Sequence, residues 1–355
     1  MGLVNDPDAT EDAAKEPCND ICDLGATSLT TMRLVVTIKQ RYGVNIPIAG
    51  VLETPTVADL ARRLSSAHAV PVFDPLVPIR PGGGRRPLFL VHPMGGNVLC
   101  YLPFARHLPA DQPLYALQAA GADPATEPLR SMEALAASYI EALRRVQPQG
   151  PYRIGGWSFG GYVAFEMARQ LTAAGEEVTD LFVLDTTAVT PGERHHHTED
   201  ELLVWFFWEM LLLERGGRSP IETIPPHRTT LTEKFEYIAE LAVAEGVLPA
   251  GTSSAVVRRL FDVYAAHWTA ALDYRPTRLP LDLILLRATE PFPQELRPMH
   301  DAMGTQYNDR TNGWHHLVDG HVEVLPVPGD HLTLMEEPHV KTTAETLLTA
   351  TRRSD

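Results

Sequence analysis

Short continuous apolar runs alternate along the chain with stretches whose apolar positions recur every three or four residues. Leu88–Val91 is such a run, as a strand buried on both faces requires. Further strands are predicted near Pro113–Leu117, at Tyr152–Trp157, Val178–Leu184, Leu281–Leu286 and Val322–Val327. Helical spacing predicts helices around Val98–Leu108, after Ser131 with Leu135, Tyr139 and Leu143 on one face, and over Phe159–Leu171. Strands and helices in alternation imply an α/β fold with a mainly parallel sheet and helices on both sides.

The connection from Thr186 to Arg278 is too long for a simple crossover. It holds three helical patterns, at 199–213, 232–245 and 253–272, and Thr198 with Glu201 forms a capping box for the first. Trp205, Phe206, Phe207, Trp208, Met210, Leu211 and Leu212 leave that helix apolar almost all round, so it is expected to be buried or to line an apolar site. Insertions of this kind are often lids, and extra core is the alternative.

The unit before residue 66 looks helical. Leu29, Met32, Val35 and Val36 share a face, Gly43 suits a helix stop, and Val57, Leu60, Ala61 and Leu64 mark a second helix beginning near Thr56. Pro71, Pro75, Pro78, Pro81 and the glycines 82–84 then predict an extended linker. The expected organisation is a small helical unit over 1–66, a linker over 67–86 and an α/β unit over 87–355.

Thirty Lys and Arg against 45 Asp and Glu leave a net charge of −15, which argues against a nucleic-acid partner. The longest strongly apolar stretch, Leu202–Leu213, is too short to span a bilayer, so no membrane association is expected. The N-terminus lacks the basic and apolar regions of a secretory signal. Three cysteines, Cys18, Cys22 and Cys100, suit a reducing compartment, and the expected location is cytoplasmic. Cys18 and Cys22 have no second Cys or His pair nearby, so no metal is expected there.

Gly156-Trp157-Ser158-Phe159-Gly160 fits Gly-x-Ser-x-Gly, and a strand ends at Trp157 while a helix starts at Phe159. Ser158 on such a turn presents its hydroxyl above the sheet, with the helix N-terminus beside it to receive an oxyanion. A serine nucleophile needs a base, and the base needs an orienting acid. His331 is favoured as base because it follows the strand Val322–Val327 near the chain end, giving the order Ser, acid, His. His300, His315, His316 and His321 are the other candidates, while the run His195-His196-His197 is expected to be a solvated loop. For the acid, Asp185 ends one strand and Glu290 follows the next; Asp330 is expected to cap a turn. The loop His92-Pro93-Met94-Gly95-Gly96 stands where the second oxyanion donor is expected, so Met94 and Phe159 are the candidate amides and His92 is expected to shape the loop.

Together, Gly-Trp-Ser-Phe-Gly-Gly, the aspartate of Val-Leu-Asp and Pro-Gly-Asp-His-Leu-Thr-Leu-Met resemble the thioesterase domains that end nonribosomal peptide and polyketide synthetases. The resemblance covers about 86–352. It implies an α/β-hydrolase fold with a helical lid at about 190–275, and it favours Asp185 over Glu290. Asp23-Leu24-Gly25-Ala26-Thr27-Ser28-Leu29 resembles the attachment motif of acyl and peptidyl carrier domains, and Leu52–Leu60 resembles the entry to their last helix. That resemblance implies 4′-phosphopantetheine on Ser28, a phosphopantetheinyl transferase and upstream synthetase modules as partners, and an acyl or peptidyl thioester as substrate. Two departures stand out: residues 1–22 do not show the amphipathic helix that usually opens a carrier domain, and Thr27 replaces an acidic residue or histidine. The expected activity is chain release through an acyl-enzyme, ending in hydrolysis or macrocyclisation. The alternatives are a freestanding esterase or editing thioesterase, and a docking module on an inactive hydrolase fold.

Overall fold

The computed structural model describes residues 56–65, 73–121, 126–188, 197–215, 219–303 and 309–351, with a few positions between 34 and 42. Ser28, Cys18, Cys22, His195, His196 and most of the helix expected over 29–39 lie outside the described residues. The helix expected from Thr56 is α1 (Val57–Ser65).

The α/β unit is built on seven strands: β1 (Leu76–Arg80), β2 (Leu88–Val91), β3 (Leu114–Leu117), β4 (Tyr152–Trp157), β5 (Val178–Leu184), β6 (Leu283–Ala288) and β7 (Val322–Val327). They form one sheet in the order β1-β3-β2-β4-β5-β6-β7. Every pairing is parallel except β1 with β3. β1 corrects the linker expected over 67–86. Its Pro78 has no N–H to give, which an edge strand paired on one side tolerates and a central strand does not.

The strand pattern assigns the two faces of the sheet. Phe89 and Val91 of β2 point to one side, where α3 (Met132–Arg144) and α4 (Phe159–Ala173) pack. Leu88 and Leu90 point to the other, against Tyr101 and Phe104 of α2 (Tyr101–Arg106) and Val340, Ala344, Leu347 and Leu348 of α9 (His339–Thr351). Ser131 caps α3, accepting from the Ala134 N–H at 3.1 Å.

The helical insertion between β5 and β6 comprises α5 (Glu199–Arg215), α6 (Leu231–Ala244) and α7 (Ser254–Asp273). The capping box forms: the Glu201 N–H donates to Thr198 Oγ1 and the Thr198 N–H to Glu201 Oε2. Leu203 and Phe207 are fully buried, and Phe206 packs on Phe261 and Tyr264 at ring separations of 5.8 and 5.4 Å. His197 corrects the expected solvated loop. Its ring packs edge-on against Trp205 and Trp268, at 4.9 and 5.1 Å. A short helix, α8 (Arg297–Ala302), follows β6.

Candidate active site

Ser158 stands alone between the last residue of β4 and the first of α4, with φ 55° and ψ −124°. A non-glycine residue held there stores on the order of 1–3 kcal/mol, so its surroundings must impose the conformation. They do so from three sides. The Ser158 N–H donates to the Leu184 carbonyl at 3.2 Å, and the Thr186 hydroxyl and Gly161 N–H donate to the Ser158 carbonyl at 2.9 and 3.0 Å. A Cβ at Gly160 would run into the Val91 carbonyl, so the second glycine of the motif lets α4 start against the end of β2.

Asp185 follows β5 with φ 45°, and its N–H donates to the Leu286 carbonyl at 2.7 Å. His331 lies just beyond β7, and the Trp157 indole N–H donates to its carbonyl at 2.9 Å. The ends of β4, β5 and β7 bring three side chains together. His331 Nδ1–H donates to Asp185 Oδ2 at 3.0 Å, and its Nε2 accepts from Ser158 Oγ at 3.1 Å. The Ala288 N–H donates to Asp185 Oδ1 at 3.0 Å, so both carboxylate oxygens are engaged. His331 and Asp185 are buried, which protects the pair from competing water.

The other candidates stand elsewhere. Glu290 is exposed, and Asp330 accepts from the Leu332 and Thr333 N–H groups, both at 2.9 Å, as a turn cap. His315, His316 and His321 are exposed. His300 is close, 5.8 Å ring to ring from His331, with Phe292 packed against both. Burial first, and the nearby His331 second, push its pKa well below the usual histidine value.

Among the described residues, neither the Met94 nor the Phe159 N–H has a hydrogen-bond acceptor. The orientation of the Met94 amide follows from its own peptide unit. The Pro93 carbonyl accepts from His92 Nδ1–H at 2.7 Å and from the Gly96 N–H at 2.9 Å. In a trans peptide the N–H points opposite to the carbonyl, so these bonds fix where the Met94 N–H points. The Tyr139 hydroxyl donates to His92 Nε2 at 2.7 Å and so sets the tautomer. Burial first, and the neighbouring His267 second, hold His92 well below its ordinary pKa, so it remains a neutral, single-proton donor.

Two residues near the site were not assigned from sequence. By sequence Glu209 is only the one charge within the apolar stretch Leu202–Leu213. In the fold, burial pushes its carboxyl up to about 7, while a hydrogen bond from Tyr264 and the proximity of His331 pull the other way. His267 of α7 reaches the Met94 carbonyl, a contact across 173 residues that no local pattern announces. Among the described residues no cluster of His, Cys, Asp or Glu could hold a metal, and no helix is long and apolar enough to cross a membrane.

A strand–serine–helix turn on a mainly parallel sheet, with the acid after β5 and the histidine after β7, defines an α/β-hydrolase. The thioesterase-domain family model matches residues 86–351, and the chain belongs to that family. A phosphopantetheine-attachment-site model matches residues 9–64, a stretch that includes Ser28. The chain is 31% identical over 319 residues to a dimodular nonribosomal peptide synthase of Bacillus subtilis, spanning 88% of this chain and 12% of that protein. It is 28% identical over 327 residues to atromentin synthetase of Tapinella panuoides, spanning 90% of this chain and 33% of the relative. The solved structure of a four-domain nonribosomal peptide synthetase superposes with a TM-score of 0.69 at 29% identity, covering 94% of this chain and 24% of that one. The Vlm2 thioesterase domain shares the fold, with a TM-score of 0.52 at 23% identity over 77% of this chain and 96% of its own. The protein is therefore a thioesterase-family hydrolase domain preceded by a carrier domain with a phosphopantetheine attachment site, as in enzymes of secondary metabolism.

Proposed function

We propose that the chain releases an acyl or peptidyl group from a phosphopantetheine-bound thioester through an acyl-enzyme on Ser158. The proposed organisation is a carrier unit over 1–66 and a hydrolase unit over 87–355 with the insertion as its lid, β1 being added to the sheet from the intervening segment. Ser28 is the proposed attachment residue: its primary hydroxyl fits a phosphodiester link, and it lies in the matched attachment stretch. The group supplies a thiol that carries the chain as a thioester.

His331 Nε2 takes the Ser158 proton as Oγ attacks the thioester carbonyl. The Met94 and Phe159 amides receive the oxyanion. His331 returns the proton to the departing thiolate, leaving Ser158 as an ester. Asp185 holds the imidazole in its Nδ1–H tautomer and offsets its charge when protonated. Water or a nucleophile within the chain itself then attacks the ester, giving a free acid or a ring. Upstream synthetase modules and a phosphopantetheinyl transferase are the partners this reading implies.

The observation that carries the reading is the unbroken relay from Asp185 through His331 to Ser158, at 3.0 and 3.1 Å. The test is Ser158→Ala assayed on an acyl-pantetheine thioester. Turnover is expected to fall roughly 10⁵-fold or more with the fold intact. Turnover within tenfold of the wild type, about 1.4 kcal/mol of barrier, would reject the mechanism.

A further inference from the structure

The third helix of the insertion, α7, reaches down to the loop that follows β2. Gly96, at φ +80°, admits it: a Cβ there would lie 2.8 Å from Val263 Cγ1 and 3.3 Å from His267 Cε1. His267 is completely buried in this contact. Its ring stacks on His92 and Phe159, with centroids 4.7 and 4.8 Å away and planes inclined by 22° and 21°. Its Nδ1–H donates to the Met94 carbonyl at 2.7 Å. Nε2 has no hydrogen-bond partner among the described residues.

A phenyl ring would fill the same space without desolvating two nitrogens, one of them unsatisfied. What histidine adds is a single directed bond, and it goes to the residue whose amide is the proposed oxyanion donor. His92 and Gly96 hold the peptide unit on the N-terminal side of Met94, at the Pro93 carbonyl. His267 holds the unit on its C-terminal side, at the Met94 carbonyl. With both flanking peptides anchored, the Met94 φ and ψ are fixed together.

We propose that His267 is a positioning residue for the oxyanion amide, tying the lid's third helix to the catalytic loop through the Met94 carbonyl. The inference rests on the reading that Ser158 is acylated and Met94 N–H receives the oxyanion. Burial holds the His267 imidazole down at about 4, so the ring stays neutral and the Nδ1 donor persists through neutral pH.

The test uses two variants of the full chain that separate packing from hydrogen bonding. His267→Phe keeps a ring and loses the donor; His267→Asn keeps a donor near the Nδ1 position and loses the ring. Both are assayed for kcat and KM on an acyl-pantetheine thioester, and for the rate at which a fluorophosphonate labels Ser158. Removing an oxyanion donor outright costs about 10²–10³ in rate, so a displaced donor should cost His267→Phe roughly 10- to 100-fold in kcat, with KM within about twofold. Labelling of Ser158 should slow in parallel, and His267→Asn should restore kcat to within about fivefold of the wild type. The inference is overturned if His267→Phe keeps its kcat, or if His267→Asn loses as much as His267→Phe, which would make the residue a packing element. A wild-type protein that fails to label at Ser158 would overturn the underlying reading instead.

Discussion

The strand-end site and the helical insertion use buried side chains in opposite ways. At the strand ends, function depends on where the backbone is held. Ser158 and Asp185 both occupy positive φ, and the carboxylate, imidazole and hydroxyl are joined by directed hydrogen bonds. In the insertion, order comes chiefly from volume: Phe206, Phe261, Tyr264 and Trp268 interlock through aromatic contacts, and Phe207 is fully buried. The two regions should therefore fail differently. Changes at the strand ends should remove activity from a stable fold, and changes among the interlocked aromatic side chains of the insertion should remove stability first.

The sharpest probe of this contrast is Asp185→Asn. Asparagine tolerates positive φ, so the fold should survive while the imidazole loses its tautomer control. A drop of about 10⁴-fold in kcat with an unchanged melting temperature is expected, whereas Glu290→Gln should leave kcat within about twofold. In the insertion, Phe207→Ala should lower unfolding free energy by about 3–5 kcal/mol in urea titrations, because a fully buried aromatic leaves a cavity. Residual folded enzyme should keep its kcat within about tenfold, and a larger loss would blur the distinction drawn here.

Acid reaches the boundary between the regions. His267 has its folded-state pKa depressed from the ordinary 6.5 to about 4. Its contribution to stability is complete above pH 6.5 and is lost as pH falls toward 4, because only the unfolded chain binds the proton across that window. The difference amounts to about 3 kcal/mol for this buried group. His92, depressed in the same direction, adds to it. Chemical denaturation at pH 7 and pH 4.5 should show the loss, and His267→Phe should flatten it; an equally steep variant would remove His267 as the cause.

The sequence makes the strand-end region more legible than the insertion, for a physical reason. Gly-x-Ser-x-Gly compresses a steric requirement into five adjacent residues, and apolar runs such as Leu88–Val91 and Leu181–Leu184 mark the strands whose ends carry the site. Asp185 and Glu290 were separable only by resemblance, since both follow a strand, and the fold brings Asp185 alone onto His331. The insertion announced its helices through the Thr198–Glu201 box and its aromatic content. What those helices touch was hidden, because the bond from His267 to Met94 joins residues far apart in the chain. β1 is hidden because Pro78 within it, and Pro75 and Pro81 on either side, mask a strand that lies at the sheet edge. α9 carried a readable signal in Val340, Ala344, Leu347 and Leu348, one apolar face that was passed over.

The central claim is a covalent bond to one hydroxyl. The most direct measurement is mass spectrometry of the protein quenched in acid during turnover of a slow acyl-pantetheine thioester, followed by peptide mapping. The account predicts the acyl mass on the peptide bearing Ser158, absent from Ser158→Ala and accumulating when attack by water is slowed. An acyl group mapped to a different side chain of the hydrolase unit, or undiminished turnover in Ser158→Ala, would contradict it.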